Sequence, residues 1–351
     1  MVQHKIIKGE FCMINQVYRL IAPNVIRACF EDRSLNGYGI LVRPTKLSIC
    51  AADQRYYTGT RGKEAMKKKL PMALIHEGVG VVVHDPRGEF KPGDKVVMIP
   101  NTPTQEDEFV AENYLTSSKF RASGFDGFMQ DYVFMGRDRV IKYESINDDV
   151  ASFTELMSVA MHAIRRFENK SIGRKDTIGV WGDGNLGFIT SILLKKLYPK
   201  TKVIVFGKNE DKLNFFTFVD EVYSIDEIPS DLRVDHAFEA VGGRGSKFAI
   251  EQIIDIINPE GTIALMGVSE NFVEINTRMV LERGLTLVGS SRSGRVDFQA
   301  AIDLLERNED VQNHLRKLIS AVIEVKSISD INKAFEHDLT TPFKTVMDWR
   351  V

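Results

Sequence analysis

Cysteine is scarce in this chain: Cys12, Cys29 and Cys50 are all that 351 residues contain. Their number is odd, and neither Cys12 nor Cys29 has a CxxC neighbour. A disulfide framework and a structural cysteine-zinc site are therefore not expected, and a reducing cytoplasm is the simplest setting. A run of about 18 apolar residues is missing too, so no transmembrane span is expected. The first ten residues, Met1 to Glu10, lack the apolar centre of a secretory leader. Neither sign of charge dominates. The formal net charge of −2 gives no reason to expect nucleic acid or an anionic membrane as a partner. Internal repeats and low-complexity tracts are also lacking. What is present is a 43% hydrophobic and 27% charged composition, ordinary for a globular chain, and enough length for two cores.

The first 150 residues carry strand signals. Tyr38–Pro44, Gly78–His84 and Lys95–Ile99 are rich in β-branched residues, and turn chemistry stands at Asp85-Pro-Arg-Gly88 and Lys91-Pro-Gly-Asp94. Residues 127–134 alternate enough for a strand with one polar face. Near Asp148 the pattern changes. Phe153, Leu156, Met157, Ala160 and Ile164 fall at helical spacing and predict a helix over 150–166. Strands then alternate with helices: strands at 177–181, 202–206, 221–223, 234–239, 262–266 and 285–289, with helices to Leu197, through Phe216 and over 246–257. Such alternation predicts an α/β fold with a doubly wound parallel sheet. The division expected is a β-rich catalytic domain of residues 1–150 and 293–351 and a Rossmann domain of residues 151–292. The strand at 285–289 reads as a sheet edge through which two copies would pair into a dimer.

Gly182-Asp-Gly184-Asn185-Leu186-Gly187 stands between an apolar strand and a helix, with a second strand ending about 20 residues on. In that setting Gly182 permits the tight turn, Gly184 lets a pyrophosphate approach, and Gly187 lets helix and strand pack. The N–H groups of Asn185 and Leu186 at the helix start face the phosphates. The bland alternative is a glycine turn in an ordinary βαβ unit. NAD binders place an acid at the end of the second strand; here Phe206-Gly207-Lys208-Asn209 puts a cation there, which favours NADP. The opposing reading makes Lys208 a solvated loop residue, with Glu210 or Asp211 on the ribose.

Cys50, His76 and Glu77 offer one thiolate, one imidazole and one carboxylate, a donor mix suited to a zinc ion with an open position. Adjacent His76 and Glu77 cannot point the same way on a regular strand. They must sit at an irregular turn, or Glu77 must reach round the metal. Glu155, on the predicted helix, is a fourth candidate ligand and would set the metal between the domains. Asp53 is better suited to orient His76 than to bind. With both Glu77 and Glu155 bound the site turns anionic, so one of them is expected to give way during turnover. Each residue alone reads equally as a buried thiol or a satisfied loop pair. His162, seven residues after Glu155 on the same helical face, reads as a packed core histidine, with a place behind the metal ligands as the alternative; His236 reads as structural.

Together these residues resemble the zinc-dependent medium-chain dehydrogenase/reductase family, over nearly the whole chain. The resemblance is carried by Cys50-Ala-Ala-Asp53 with Gly59, by His76-Glu77-Gly78-Val-Gly80, and by Lys91-Pro-Gly-Asp94. Ile75 stands where the family usually has Gly. Thr154-Glu155-Leu156 is similar to the polyol-dehydrogenase branch, in which Glu is the third ligand. The four-cysteine lobe of many relatives is missing from residues 101–123. The resemblance implies a GroES-like catalytic domain and bound Zn²⁺. Met13-Ile-Asn-Gln-Val-Tyr18, Trp181–Gly187 and Gly289-Ser-Ser-Arg-Ser-Gly294 are closer to the branch that reduces ribulose 5-phosphate with NADPH for wall teichoic acid synthesis. That branch implies a sugar-phosphate substrate, a homodimer and a cytidylyltransferase acting on the product. Its chains begin near Met13, so residues 1–12 read as an extension or a start-site artefact.

A dianionic substrate demands cations at the far end of the pocket. Arg55, five residues after Cys50, is the first candidate. Arg292 is the second, by position in the polyol branch, and Tyr56 or Tyr57 would bond hydroxyls. Lys344 falls where relatives reach the cofactor pyrophosphate. Two alternatives remain: a polyol dehydrogenase acting on an unphosphorylated sugar alcohol, and a redox-inactive nucleotide-binding protein.

Overall fold

A computed structural model describes residues 12–34, 39–171 and 173–351. The expectations for residues 1–11 and for Tyr38 lie outside the described residues. The chain forms two compact units. The first takes the described residues up to Asp107, then Leu115–Glu155 and Ala321–Val351; the second takes Glu108–Tyr114 and Leu156–Ser320. The segment from 293 to Ser320, expected with the catalytic domain, thus clusters with the second unit. Its two helices, Arg295–Arg307 and Glu309–Arg316, pack on each other there.

The first unit is built on a seven-stranded sheet. Its path runs Val140–Lys142, Lys95–Met98, Glu77–His84, Ile40–Ser48, Lys344–Trp349 and Ile319–Val325, with Val133–Met135 also pairing Ile40–Ser48. A hairpin, Cys12–Ala22 with Val25–Ser34, forms a second sheet with Met72–Ala73. Val17, Leu20, Leu74, Phe128, Phe335 and Trp349 are among the side chains that fill the core between these elements. The strand predicted over 127–134 is much shorter, at Val133–Met135. Upstream of it the N–H groups of Gly127 and Phe128 turn to the carbonyls of Ala73 and Ile75, which ends regular pairing. The helix predicted over 150–166 is interrupted at Ser152 and Phe153, giving Asp148–Ala151 and Thr154–Glu168.

The C-terminal helix Ile328–Asp338 fixes the segment that follows Cys50. Gln54 Nε2 donates to the Phe335 carbonyl and to Asp338 Oδ2, both at 2.8 Å, and Tyr57 stacks on Phe335 with ring centroids 4.4 Å apart. Asp338 Oδ1 also accepts from the Thr345 N–H at 3.0 Å, beside Lys344. Contacts between residues nearly 300 positions apart therefore hold the short helix Ala51–Tyr57 in place.

The second unit contains a fully parallel six-stranded sheet. In spatial order it runs Glu221–Ser224, Lys202–Gly207, Thr177–Trp181, Val234–Glu239, Ile257–Leu265 and Thr286–Gly289. Sequential numbering of those strands gives 3-2-1-4-5-6, the Rossmann order, and the order reverses beside Thr177–Trp181. The helix expected through Phe216 stops at Leu213. Phe216 instead turns inward to meet Phe188 edge-on at 5.0 Å. Among the described residues no helix is long and apolar enough to cross a membrane.

Candidate metal and nucleotide sites

Cys50 sits in extended conformation immediately before the Ala51–Tyr57 helix. Within that helix Asp53 is almost wholly buried. Its Oδ1 accepts from the Ile75 N–H at 3.0 Å, and its Oδ2 lies 3.2 Å from His76 Nδ1, close enough for an ion pair though without hydrogen-bond alignment. A carboxylate at Nδ1 leaves Nε2 as the nitrogen available to a ligand role. Ile75 has φ = 68°, the left-handed region that β-branched residues rarely occupy. Strain of this type costs about 1–3 kcal/mol. It is held because the Ile75 N–H is on Asp53 and its carbonyl accepts from Phe128 N–H at 2.7 Å. The glycine usual here in the family would adopt this torsion freely.

That irregular turn lets His76 and Glu77 converge, as their adjacency requires. Ligand atoms of His76, Glu77 and Glu155 lie within 4.8 Å of one another, and so do those of Cys50, Asp53 and His76. His76 is common to both groups, and the described side chains other than Cys50 are buried. Burial pushes the Cys50 thiol up, with the Glu77 charge adding to the effect. Burial likewise pushes the Glu155 carboxyl up to about 7, against the pull of His76. Glu77 Oε1 is buried with no hydrogen-bond partner. A thiol and two carboxylates crowded in a low-dielectric site are costly as bare anions. A divalent cation removes that cost, and the donor set of sulfur, nitrogen and oxygen suits zinc. The residues present therefore fit the metal.

Lys344, expected at the cofactor pyrophosphate, is paired with Glu77. Its ammonium is 1% exposed and donates to Glu77 Oε2 at 2.6 Å and to the Ile49 carbonyl at 3.2 Å. Burial opposes the charge, but Glu77 and Cys50 hold the Lys344 ammonium above its ordinary range. The strand pairing explains this contact: the Ile49 N–H donates to the Thr345 carbonyl, which sets Lys344 against Glu77. Glu77 thus has one oxygen committed and one open.

The other expected substrate contacts divide between the two units. Tyr56 is buried, flanked by the Arg61 guanidinium and the Lys69 ammonium at 5.0 and 5.7 Å, with its hydroxyl lacking a hydrogen-bond partner. Tyr57 is committed to Asn332 Oδ1 at 3.1 Å and to its stack on Phe335. Arg55 is half-buried on the helix after Cys50. Arg292 belongs to the second unit and has φ = 59°. Its neighbours are pinned: the Ser291 carbonyl accepts from Asn113 Nδ2 at 3.0 Å, and the hydroxyls of Ser293 and Ser158 lie 2.7 Å apart. His162 belongs to this cluster. Its Nε2 meets Tyr114 Oη at 2.9 Å and its Nδ1 lies 3.0 Å from Asp297 Oδ2. His236 is structural as expected, bonded to the Arg174 carbonyl and the Thr262 N–H.

In the second unit the glycine fingerprint adopts the predicted form. Gly182 has φ = 132° and Gly184 caps the helix Asn185–Leu197. A Cβ on Gly187 would stand 1.9 Å from the Gly182 carbonyl oxygen, so only glycine permits this helix–turn approach. Beside it opens a cavity of about 450 Å³ whose lining includes Trp181, Asp183, Phe206, Lys208 and Arg244. Lys208 is an exposed lining residue of this cavity. Asp183 Oδ2 accepts from the Lys208 and Asn209 N–H groups at 2.8 and 2.7 Å, folding that loop against the fingerprint. Neither Glu210 nor Asp211 is among the described lining residues. Arg244 lies outside every motif, and no fingerprint position announces the loop contact of Asp183 or the stacking of Trp181 on Phe206.

Residues 37–145 match the alcohol dehydrogenase GroES-like domain family, and residues 148–349 match the glucose dehydrogenase C-terminus family. The chain belongs to the medium-chain dehydrogenase/reductase family and is an oxidoreductase. Within it the chain is 58% identical to the ribulose-5-phosphate reductase of Bacillus spizizenii, over 97% of this chain and 100% of that protein. It is 56% identical to ribulose-5-phosphate reductase 1 of Staphylococcus aureus, over 96% and 99%. The crystal structure of S. aureus TarJ in complex with NADPH superposes with a TM-score of 0.87 at 51% identity, covering 97% of this chain and 100% of that one.

Proposed function

We propose that this enzyme reduces D-ribulose 5-phosphate to D-ribitol 5-phosphate with NADPH and a resident zinc ion. The observation that carries the reading is near-full-length identity of 56–58% to ribulose-5-phosphate reductases in a chain whose Cys50, Glu77 and Glu155 donors gather around a shared His76. Cys50, His76 and Glu155 would hold the zinc, with Glu77 as the exchangeable fourth donor. When bound, zinc polarises a substrate oxygen and steadies the alkoxide charge, while NADPH supplies the hydride.

The protein's own groups then have separable tasks. Asp53 faces His76 Nδ1 and fixes the ring's orientation. Lys344 holds Glu77 through one oxygen, which keeps the total charge of the donor set low. Arg55 and Arg292 are assigned to the substrate phosphate, for which paired N–H donors are the suitable chemistry. The fingerprint turn and the helix start at Asn185 receive the cofactor pyrophosphate. A homodimer paired through the Thr286–Gly289 edge, and a cytidylyltransferase that takes the product toward CDP-ribitol for wall teichoic acid, complete the proposal.

The test compares NADPH oxidation with ribulose 5-phosphate and with ribulose, before and after treatment with a chelator, and identifies the product. Rapid turnover only with the phosphate, lost with the metal and restored by zinc, is expected. Equal turnover of ribulose would replace the reading by a polyol dehydrogenase; full activity in metal-free protein would remove zinc from it.

A further inference from the structure

We propose that Arg244 is a second cation, lining the same cavity as Lys208, that clasps the adenosine 2′-phosphate of the cofactor and so selects NADPH over NADH. The inference rests on the proposed use of NADPH and names a residue that no fingerprint position assigns. Lys208 and Arg244 both line the cavity of the second unit, and both are exposed. Among the described residues neither side chain takes an ion pair or a hydrogen bond. Two unpaired cations at one rim form a site for a dianion.

The neighbouring acids strengthen this reading because their charges are already satisfied. Asp183 Oδ2 carries two backbone N–H groups from the Lys208 loop. Glu239, at the end of the next strand, is buried. Its Oε1 accepts from Val241 N–H, Gly242 N–H and Ser246 Oγ, and its Oε2 from Gly267 N–H. NAD binders present a free carboxylate to the ribose hydroxyls from the end of the second strand. Here that position carries Lys208, and Asp183 and Glu239 are turned into backbone clasps.

Arg244 also stands at the N-cap of the 12-residue helix Gly245–Ile256, whose positive end adds to its field. The cavity wall is apolar: Trp181 stacks on Phe206 with ring centroids 4.0 Å apart, and Ile225 and Phe248 complete it. An aromatic base against that wall leaves its ribose substituents at the cationic rim. A bare 2′-hydroxyl gives those cations nothing to neutralise; a 2′-phosphate engages both.

The experiment uses the full-length, metal-loaded protein and reads binding rather than turnover. Wild type, Arg244→Gln, Lys208→Gln and the double variant are titrated with NADPH, NADH, 2′,5′-ADP and 5′-AMP, following fluorescence or heat. Each single variant should weaken NADPH and 2′,5′-ADP about tenfold, with NADH and 5′-AMP unchanged, and the double variant should lose about a hundredfold. The salt dependence of NADPH binding should flatten in parallel. Equal weakening of NADPH and NADH by Arg244→Gln, or no weakening, overturns the assignment of Arg244 while leaving NADPH use intact. A wild-type protein that binds NADH as tightly as NADPH overturns both the parent reading and this one. Circular dichroism confirms that the exposed substitution leaves the fold unchanged.

Discussion

The two sites are built on opposite physical plans. The metal donors of the first unit are buried charges that neutralise one another: Lys344 on Glu77, Asp53 beside His76, with Glu155 pushed toward protonation. The nucleotide cavity of the second unit is apolar-walled and keeps its cations exposed at the rim. A buried, internally balanced set positions a permanently held ion, and removing any member leaves another charge stranded. An open rim with unpaired charge suits a ligand that must leave in every cycle. The contrast predicts where substitutions damage folding and metal retention, and where they alter only ligand affinity.

Cys50→Ala is the sharpest test. It should abolish metal retention and lower kcat by about a thousandfold or more, while NADPH affinity stays at the wild-type value. Full zinc content in an active variant, by elemental analysis, would break the contrast at its root. Lys344→Met comes next. Stranding the Glu77 charge should reduce unfolding stability by about 3 kcal/mol in a denaturant titration of metal-free protein. A loss below about 1 kcal/mol would show that the pair contributes little. Asp53→Asn should weaken zinc binding about 10–100-fold in a metal-buffered titration. Unaltered affinity would leave His76 oriented by its turn alone. Asp183→Asn is the mildest, loosening the Lys208 loop at a cost of about 1 kcal/mol in NADPH affinity without altering zinc content. A drop in bound metal would contradict the independence of the two sites.

The nucleotide site was far more legible in the sequence than the metal site, and locality is the reason. Gly182 to Gly187 is one strand–turn–helix step, so its six residues specify a conformation by themselves. Cys50, His76 and Glu155 are joined only by tertiary contacts, and it was family resemblance rather than spacing that grouped them. The Lys344–Glu77 pair spans 267 positions and no periodicity announces it. Resemblance gave Lys344 a position but not the pairing with Glu77 that aims its side chain. The parallel sheet was readable from its alternating apolar runs. By contrast, the Cys12–Ser34 hairpin, with polar residues on both faces, lacks the clean two-residue period that would announce its strands.

The unfavourable torsion at Ile75 couples catalyst assembly to the solidity of the core around it. Its branched side chain is wholly enclosed, and the backbone stays twisted only while Asp53 and Phe128 grip it from either side. Loosening that grip would let the peptide relax toward an ordinary extended form and swing the imidazole off its aim. Competence to capture the ion is thus inherited from the folded interior, and damage there would first be felt as slow or incomplete loading of the enzyme.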